Sequence, residues 1–249
     1  MAGHGWMRQF TFEEITEALS ALRDQSARPG DDERLTFLAF CLEHLPRSRG
    51  QFLQDLWVAY ELGGQTGGYF VDVGASDGVT SSNSWFLERE LGWSGIVAEP
   101  ARVWRAALAA NRGCHIDNRC VWIETGRTLD FNQPAIGEYS TIDSFSDGDI
   151  HADRRRDGER YPVETVSLND LLAGWDAPRR IDYLSRDTEG SELDILQHFD
   201  FAARDVRLIS VEHNHTARRR PIFDLLTARG YRRRFETLSS VDDWYVRDE

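Results

Sequence analysis

An open α/β sheet with a helical extension in front of it is the fold class that this sequence predicts, and three observations predict it. The stretch Tyr69-Phe70-Val71-Asp72-Val73-Gly74-Ala75-Ser76-Asp77-Gly78 is a strand that runs into a glycine turn. Short apolar runs of strand character then alternate with amphipathic runs of helical spacing along much of the remaining chain. The alternation closes on a strand pair, 231–238 and 244–247, instead of a further βα unit.

Residues 1–50 read as the helical extension. Ile15, Ala18, Leu19 and Leu22 recur at helical spacing behind Thr11 as a cap, and a polar break follows over 26–32. Leu35, Leu38, Ala39 and Leu42 mark a second helix over 33–44. The stretch has too few apolar positions for a core of its own. Residues 51–249 form the main domain, which a helix over 51–60 opens.

After the glycine turn, Thr80-Ser81-Ser82 offers cap hydroxyls to a helix carrying Trp85, Phe86, Leu87 and Leu91. Ser94 to Glu99 is a second strand that Pro100 stops, 101–111 a helix, and Cys114 to Ile123 a third strand. The rhythm then breaks. From 124 to 167 only strand fragments appear, 128–131 and 163–167, around a polar stretch at 137–160. An interruption of that length marks a functional insertion or lid. Ser167 caps a short helix at 168–173, and strands at 181–185 and 206–211 flank a helix at 191–199. A last helix at 221–229 has Pro221 in its first turn and Gly230 just past its end.

Composition narrows the function. The 249 residues carry 29 basic and 42 acidic side chains, a net charge of −13, which argues against nucleic acid or an anionic membrane as partner. Cys41, Cys114 and Cys120 have no C-x-x-C spacing, so a zinc site and disulfide staples are not expected. No apolar run reaches the roughly 20 residues of a membrane span. The expectation is a cytoplasmic protein, monomer or homodimer, acting on a small molecule.

A strand, a glycine turn and a helix start hold nucleotide-like ligands at the carboxyl ends of open sheets. Gly74 and Gly78 let the backbone approach the ligand, and Asp72 can accept a hydroxyl or face a cation. The spacing G-x-x-x-G is not the G-x-G-x-x-G of dinucleotide binders, so a nicotinamide oxidoreductase is the least favoured class.

With these pieces in order, the chain resembles the FkbM-type family of class I S-adenosylmethionine-dependent methyltransferases. The residues that carry the resemblance are Asp72 to Gly78 with Ser82-Asn83-Ser84, Gly92-Trp93-Ser94-Gly95-Ile96 leading to Glu99-Pro100, and Ile181 to Glu192. Ser210-Val211-Glu212-His213-Asn214, Gly230-Tyr231 and Asp242 to Val246 complete it, so it covers about residue 51 to the C-terminus. Two residues depart from the family's pattern: Arg186 stands at an aliphatic position and Ser84 at a threonine one. The resemblance implies a Rossmann-like sheet of seven strands with the last antiparallel, S-adenosylmethionine as cofactor, and O-methylation of a sugar or secondary-metabolite hydroxyl.

Asp72, Gly74, Ala75 and Asp77 then fall where the methionine part and sulfonium would lie. Glu99-Pro100 follows Gly74 by 25 residues, near the roughly 20-residue spacing of ribose-binding acids. Asn83 could contact the methionine end or lie on a helix surface. Cys120 and Val121 mark the adenine edge by position, and Cys120 reads equally as core packing. Methyl transfer needs alignment and removal of a proton. Asp187, which also adjoins the cofactor strand, and Glu212 and His213 are the catalytic candidates at two neighbouring strand ends. His213 can be a base near neutral pH or a satisfied strand-end residue. Asp187, Glu212 and His213 could also hold Mg²⁺, Mn²⁺ or Ca²⁺. Ser140, Thr141, Glu189 and His215 are candidate acceptor contacts, though Glu189 and Glu192 could merely cap the next helix.

The runs Arg154-Arg155-Arg156, Arg218-Arg219-Arg220 and Arg232-Arg233-Arg234 read as solvated faces, or as one anion-recognising run over the pocket. Two rival functions remain at this point: a carboxyl O-methyltransferase, and a catalytically silent module that keeps the cofactor pocket.

Overall fold

The computed structural model describes residues 11–25 and 32–248. All but the last residue of the polar break expected over 26–32 lies outside them. The chain divides into two units, residues 1–43 and 44–249. The first contributes α1 (Phe12–Gln25) and most of α2 (Asp32–His44). Thr11 caps α1 as expected: its Oγ1 accepts from Glu14 N at 3.2 Å, while Glu14 Oε2 accepts from Thr11 N at 2.8 Å, a reciprocal capping box.

The second unit opens with α3 (Gln54–Glu61), β1 (Tyr69–Val73), α4 (Trp85–Leu91), β2 (Ser94–Ala98), α5 (Arg105–Asn111) and β3 (His115–Asp117). Next come β4 (Cys120–Trp122), β5 (Thr128–Gln133), β6 (Thr141–Ile142), α6 (Ala152–Arg155), β7 (Glu159–Ser167) and α7 (Leu168–Gly174). It finishes with β8 (Arg180–Arg186), α8 (Glu192–Gln197), β9 (Asp205–Glu212), α9 (Arg219–Thr227), β10 (Tyr231–Arg234) and β11 (Asp242–Arg247).

Seven of these strands form one mixed sheet in the order β10-β11-β9-β8-β1-β2-β3. β1, β2, β3, β8 and β9 are parallel, and β11, the last strand in sequence, is antiparallel to both of its neighbours. The single third strand expected over 114–123 is in fact two. It breaks at Asn118-Arg119, where Arg119 folds back to fork its guanidinium onto Asp117, and β4 leaves for a second sheet, β4-β7-β5-β6. That second sheet fills the region where the βα rhythm fails.

Alternate residues of the central strands decide the two faces. Val71, Val73, Leu184, Ile209 and Val211 are buried with Leu171 and Leu172 of α7, Ile195 and Leu196 of α8, and Ile222 and Leu226 of α9. On the other face Trp57 of α3 stacks on Trp244 of β11 at 5.1 Å and meets Tyr183 edge-on at 6.3 Å. Buried aromatic pairs of this kind add about 0.5–1.5 kcal/mol beyond their area. Helices on both faces leave the carboxyl ends of the parallel strands as the open rim.

One residue breaks the apolar pattern. β8 continues through Arg186, whose register partners are Val73 and Val211, so the side chain lies on an apolar face. It is 1% exposed, and none of its three side-chain nitrogens meets an acceptor among the described residues. Burial draws its pKa down to about 10. A buried, unpaired guanidinium destabilises a fold relative to an apolar side chain of similar size. Arg186→Met should therefore raise stability by roughly 1–4 kcal/mol, seen as a higher thermal midpoint; a lowered midpoint would contradict this account.

Candidate active site

The site is assembled where β1 and β8 end side by side. Asp187 N donates to Val73 O at 3.0 Å, and Gly74 N donates to Ala98 O at 2.9 Å, so the turn is pinned to both neighbouring strands. Gly74 has φ +94°, and a Cβ there would lie 1.7 Å from the Asp187 carbonyl oxygen. Only glycine fits that approach. Asp77 shapes the rest of the turn: its Oδ1 accepts from Val79 N and Thr80 N at 2.8 and 2.7 Å, and its Oδ2 from Thr80 Oγ1. It acts as an Asx cap, with Ala75 buried beneath the turn.

Glu99, just past β2, reaches this turn. Its Oε2 accepts from Ser76 N at 2.9 Å and its Oε1 from Ala101 N at 2.7 Å, the residue after Pro100. Burial pushes its pKa up to about 7; the two N–H donors oppose this, while Asp187 and Asp72 add to it. Cys120 packs its thiol among Ala101, Phe131, Ile142, Tyr161 and Val163, and Val121 joins the main core. Neither side chain lines an open slot, so any contact with a ligand falls to their backbone.

Asp72 turns away from the turn. Ser84 Oγ donates to its Oδ2 at 2.5 Å and accepts from Arg112 Nη2 at 2.9 Å, and Arg112 Nε continues to Glu88 at 2.6 Å. The expected cofactor carboxylate is therefore the end of an internal chain that holds α4 and α5 to β1. Asn83 Nδ2 donates to Ser185 Oγ on β8 at 3.0 Å, and its Oδ1 is buried with no donor among the described residues.

Three acids converge beyond β8 and β9. One carboxylate oxygen each from Asp187, Glu189 and Glu212 lie within 4.8 Å of one another. Burial is the main cause that raises all three, pushing Asp187 up to about 7 and the two glutamates well above their ordinary range. Mutual repulsion adds to the rise in the glutamates. Glu212 hydrogen-bonds the Asp187 carboxylate, which opposes the rise there. Glu189 is held by Arg155, a residue read from the sequence only as part of a solvated run. Arg155 is fully buried and donates to Glu189 Oε2 at 2.6 Å, Asp149 Oδ1 at 2.7 Å and Tyr139 O at 2.7 Å. No local pattern marks it, because its partners lie 16 and 34 residues away at Tyr139 and Glu189.

His213 stands apart from this cluster. Its Nδ1 accepts from His215 N at 3.0 Å, which places its proton on Nε2, and Nε2 faces Asp243 at 3.7 Å. Burial draws its pKa down to about 4. Its Nδ1 lone pair is engaged, and the place expected for it beside Asp187 and Glu212 is taken by Glu189. His215 is exposed. Ser140 Oγ donates to Gly137 O at 2.6 Å, whereas Thr141 Oγ1 donates to Glu189 O at 2.9 Å and ties 137–160 to the loop after β8. Ser76, Glu189, Asn214 and His215 all have left-handed backbones, strain gathered at the rim.

The remaining arginines of the runs also have partners. Arg154 lies over Tyr139 and Arg218 over Phe145; Arg219 and Arg233 share Asp243; Arg156, Arg220, Arg232 and Arg234 pair with Asp153, Asp224, Asp248 and Glu61.

A mixed α/β sheet whose carboxyl-end rim joins a glycine turn to buried acids has the arrangement in which open α/β sheets place their ligand sites. The family model described as Methyltransferase FkbM domain matches residues 72–233, and the chain belongs to that family: it is a methyltransferase. A comparison with curated proteins finds no match. No helix among the described residues is long and apolar enough to cross a membrane.

The buried acids give stability a definite pH slope. Glu99, Asp187 and Asp242 rise from 4.5, 3.8 and 3.8 to about 7, 7 and 8, so the folded chain holds protons that the unfolded chain has released. Their contribution is full below the unfolded values and is lost as pH rises through the folded ones. His213, lowered from 6.5 to about 4, acts in the opposite sense between those values. Above pH 6.5 the acids act alone. The thermal midpoint should therefore fall from pH 6.5 to about 8, and Asp242→Asn should flatten the fall; a midpoint that climbs over this interval would disprove the assignment.

Proposed function

We propose that this chain moves the methyl group of S-adenosylmethionine to a hydroxyl oxygen of a sugar or secondary-metabolite small molecule, with Asp187 as the base. One observation carries the reading. The glycine turn and the acid trio are a single place, because the Asp187 carbonyl lies against Gly74. The strand order, with β11 antiparallel, supports the Rossmann-like class I arrangement.

The residues fit the cofactor. Each Glu99 oxygen accepts one N–H and keeps a lone pair for a ribose hydroxyl. The donorless Asn83 Oδ1 is an acceptor for the ammonium of the methionine part. When bound, S-adenosylmethionine supplies an electrophilic methyl on a sulfonium. Asp187, near 7, is poised to take a hydroxyl proton at neutral pH, and protonated Glu212 fixes its carboxylate by donating to it. Thr141 and the 137–160 segment form the acceptor-side lid over this point.

Charge favours a hydroxyl acceptor over a carboxylate. The cation beside the trio, Arg155, is already shared by Asp149 and Glu189, so a carboxylate acceptor would find no free guanidinium among the described residues of the cluster. The same pairing weighs against a divalent metal, since Glu189 Oε2 would have to leave its guanidinium.

Calorimetric titration should show S-adenosylhomocysteine binding that Glu99→Ala weakens by roughly 1.5–3 kcal/mol, the loss of charge-assisted hydrogen bonds. An unaltered affinity in that variant rules out the ribose assignment. With an acceptor found from a panel of sugars and phenols, Asp187→Asn should lower turnover by about 10²–10⁴-fold and leave cofactor affinity intact. Wild-type kcat/KM should rise with pH to a plateau above about 7, and a chelator should not change it. Full activity in Asp187→Asn would exclude it as the base.

A further inference from the structure

The opposite end of the sheet carries the opposite charge. Where β8 and β9 begin and β11 ends, a hollow of about 320 Å³ is lined by Arg179, Arg180, Arg204 and Arg247 with Asp205 as its one acid and Phe201 at its wall. The volume is at the small end of ligand pockets. Arg247 pairs with Asp205 at 2.8 Å, and Arg180 lies 3.3 Å from Asp182, which it shares with Arg207. Arg204 donates only to neutral carbonyls, Ala177 O at 2.7 Å and Pro178 O at 3.2 Å. Arg179 is exposed, with no side-chain partner among the described residues. Two guanidiniums thus face the hollow without a carboxylate, in a chain of net charge −13 whose other arginine runs are paired. A fifth guanidinium, Arg229, lies over the Phe201 ring at 4.9 Å, so that aromatic face is covered.

We infer that this hollow binds a phosphate-class anion of more than one charge, such as a pyrophosphate or a phosphate ester, away from the methyl-transfer site. Four guanidiniums exceed what Asp205 and Asp182 can neutralise, and each fork matches a phosphate's paired oxygens. With Arg229 over one face of Phe201, recognition rests on the guanidiniums and the phosphate. The site is independent of the cofactor: it lies at the amino ends of β8 and β9, whereas Asp187 and Glu212 lie at their carboxyl ends.

The test is calorimetric titration of the full chain with sodium pyrophosphate at low ionic strength, with orthophosphate in parallel. Pyrophosphate should bind one to one and more tightly than orthophosphate. Arg179→Gln, at a freely solvated position, should weaken it several-fold, and Arg179→Gln/Arg204→Gln by at least about tenfold, the scale of a lost charge-assisted pair. Arg220→Gln, remote and paired with Asp224, should leave it unchanged. S-adenosylhomocysteine affinity should not move in any of these variants, which separates this site from the proposed cofactor site. Absence of pyrophosphate binding, or equal affinity in wild type and the double variant, overturns the inference.

Discussion

The contact between Gly74 and the Asp187 carbonyl is the constraint on which the rest of the site depends. Parallel strands can end side by side without touching beyond their ladder. Here the turn after β1 folds so closely over the exit of β8 that no Cβ can be placed at Gly74. That approach fixes the backbone of Asp187, and through it the direction of the acid beside the turn. It also explains why the turn needs Asp77 as an internal cap: three hydrogen bonds to one side chain hold a conformation that the backbone alone would not keep. A glycine turn and an acid cluster could have been separate devices. One interatomic distance makes them one.

Burying so many acids at one rim needs counterweights, and the fold supplies them unevenly. Asp72 is held by Ser84 and by the Arg112 charge, Glu189 by Arg155, and Asp243 by Arg219 and Arg233. Glu99 has only backbone donors, and Asp187 only Glu212, so these two stay near neutrality in pKa. Glu189 rises with them despite its guanidinium, because burial outweighs that charge. Arg186 shows the reverse error of balance, a buried cation whose nitrogens meet no acceptor among the described residues, on the strand that leads directly into Asp187.

Much of the scaffold was legible because periodicity reports burial on one chain segment at a time. β1, β2, β8, β9 and the closing pair lie within a few residues of the runs that announced them, and Ser167 caps α7 through Asp170 N as its position foretold. What the sequence hid depends on distant partners. The break between β3 and β4 is made by Arg119 bonding Asp117, and the second sheet by pairing of 128–133 with 159–164, segments whose strand character showed in part at 128–131 and 163–167 but whose pairing did not. His213 looked like a base because its neighbours in sequence are catalytic candidates; the backbone turn that gives its Nδ1 to His215 N is visible only in three dimensions. Arg155 had the appearance of a surface charge among arginines, and only the convergence of Tyr139, Asp149 and Glu189 makes it the buried one.

Charge is therefore ordered along the strands as well as balanced locally. β8 begins at Arg180 and ends on Arg186, just before Asp187; β9 begins on Asp205, just after Arg204, and ends on Glu212; β11 runs the other way, from Asp242 to Arg247. Because β11 is antiparallel, its sequence order must be reversed to give the same spatial order, acid at the rim and arginine at the base. Strand dipoles in a sheet contribute little net field of their own. The polarity must then come from the side chains, and it reappears on a strand of opposite direction. That argues for a difference between the two ends of the sheet, which Arg186 at the end of β8 and Asp205 at the start of β9 interrupt without reversing.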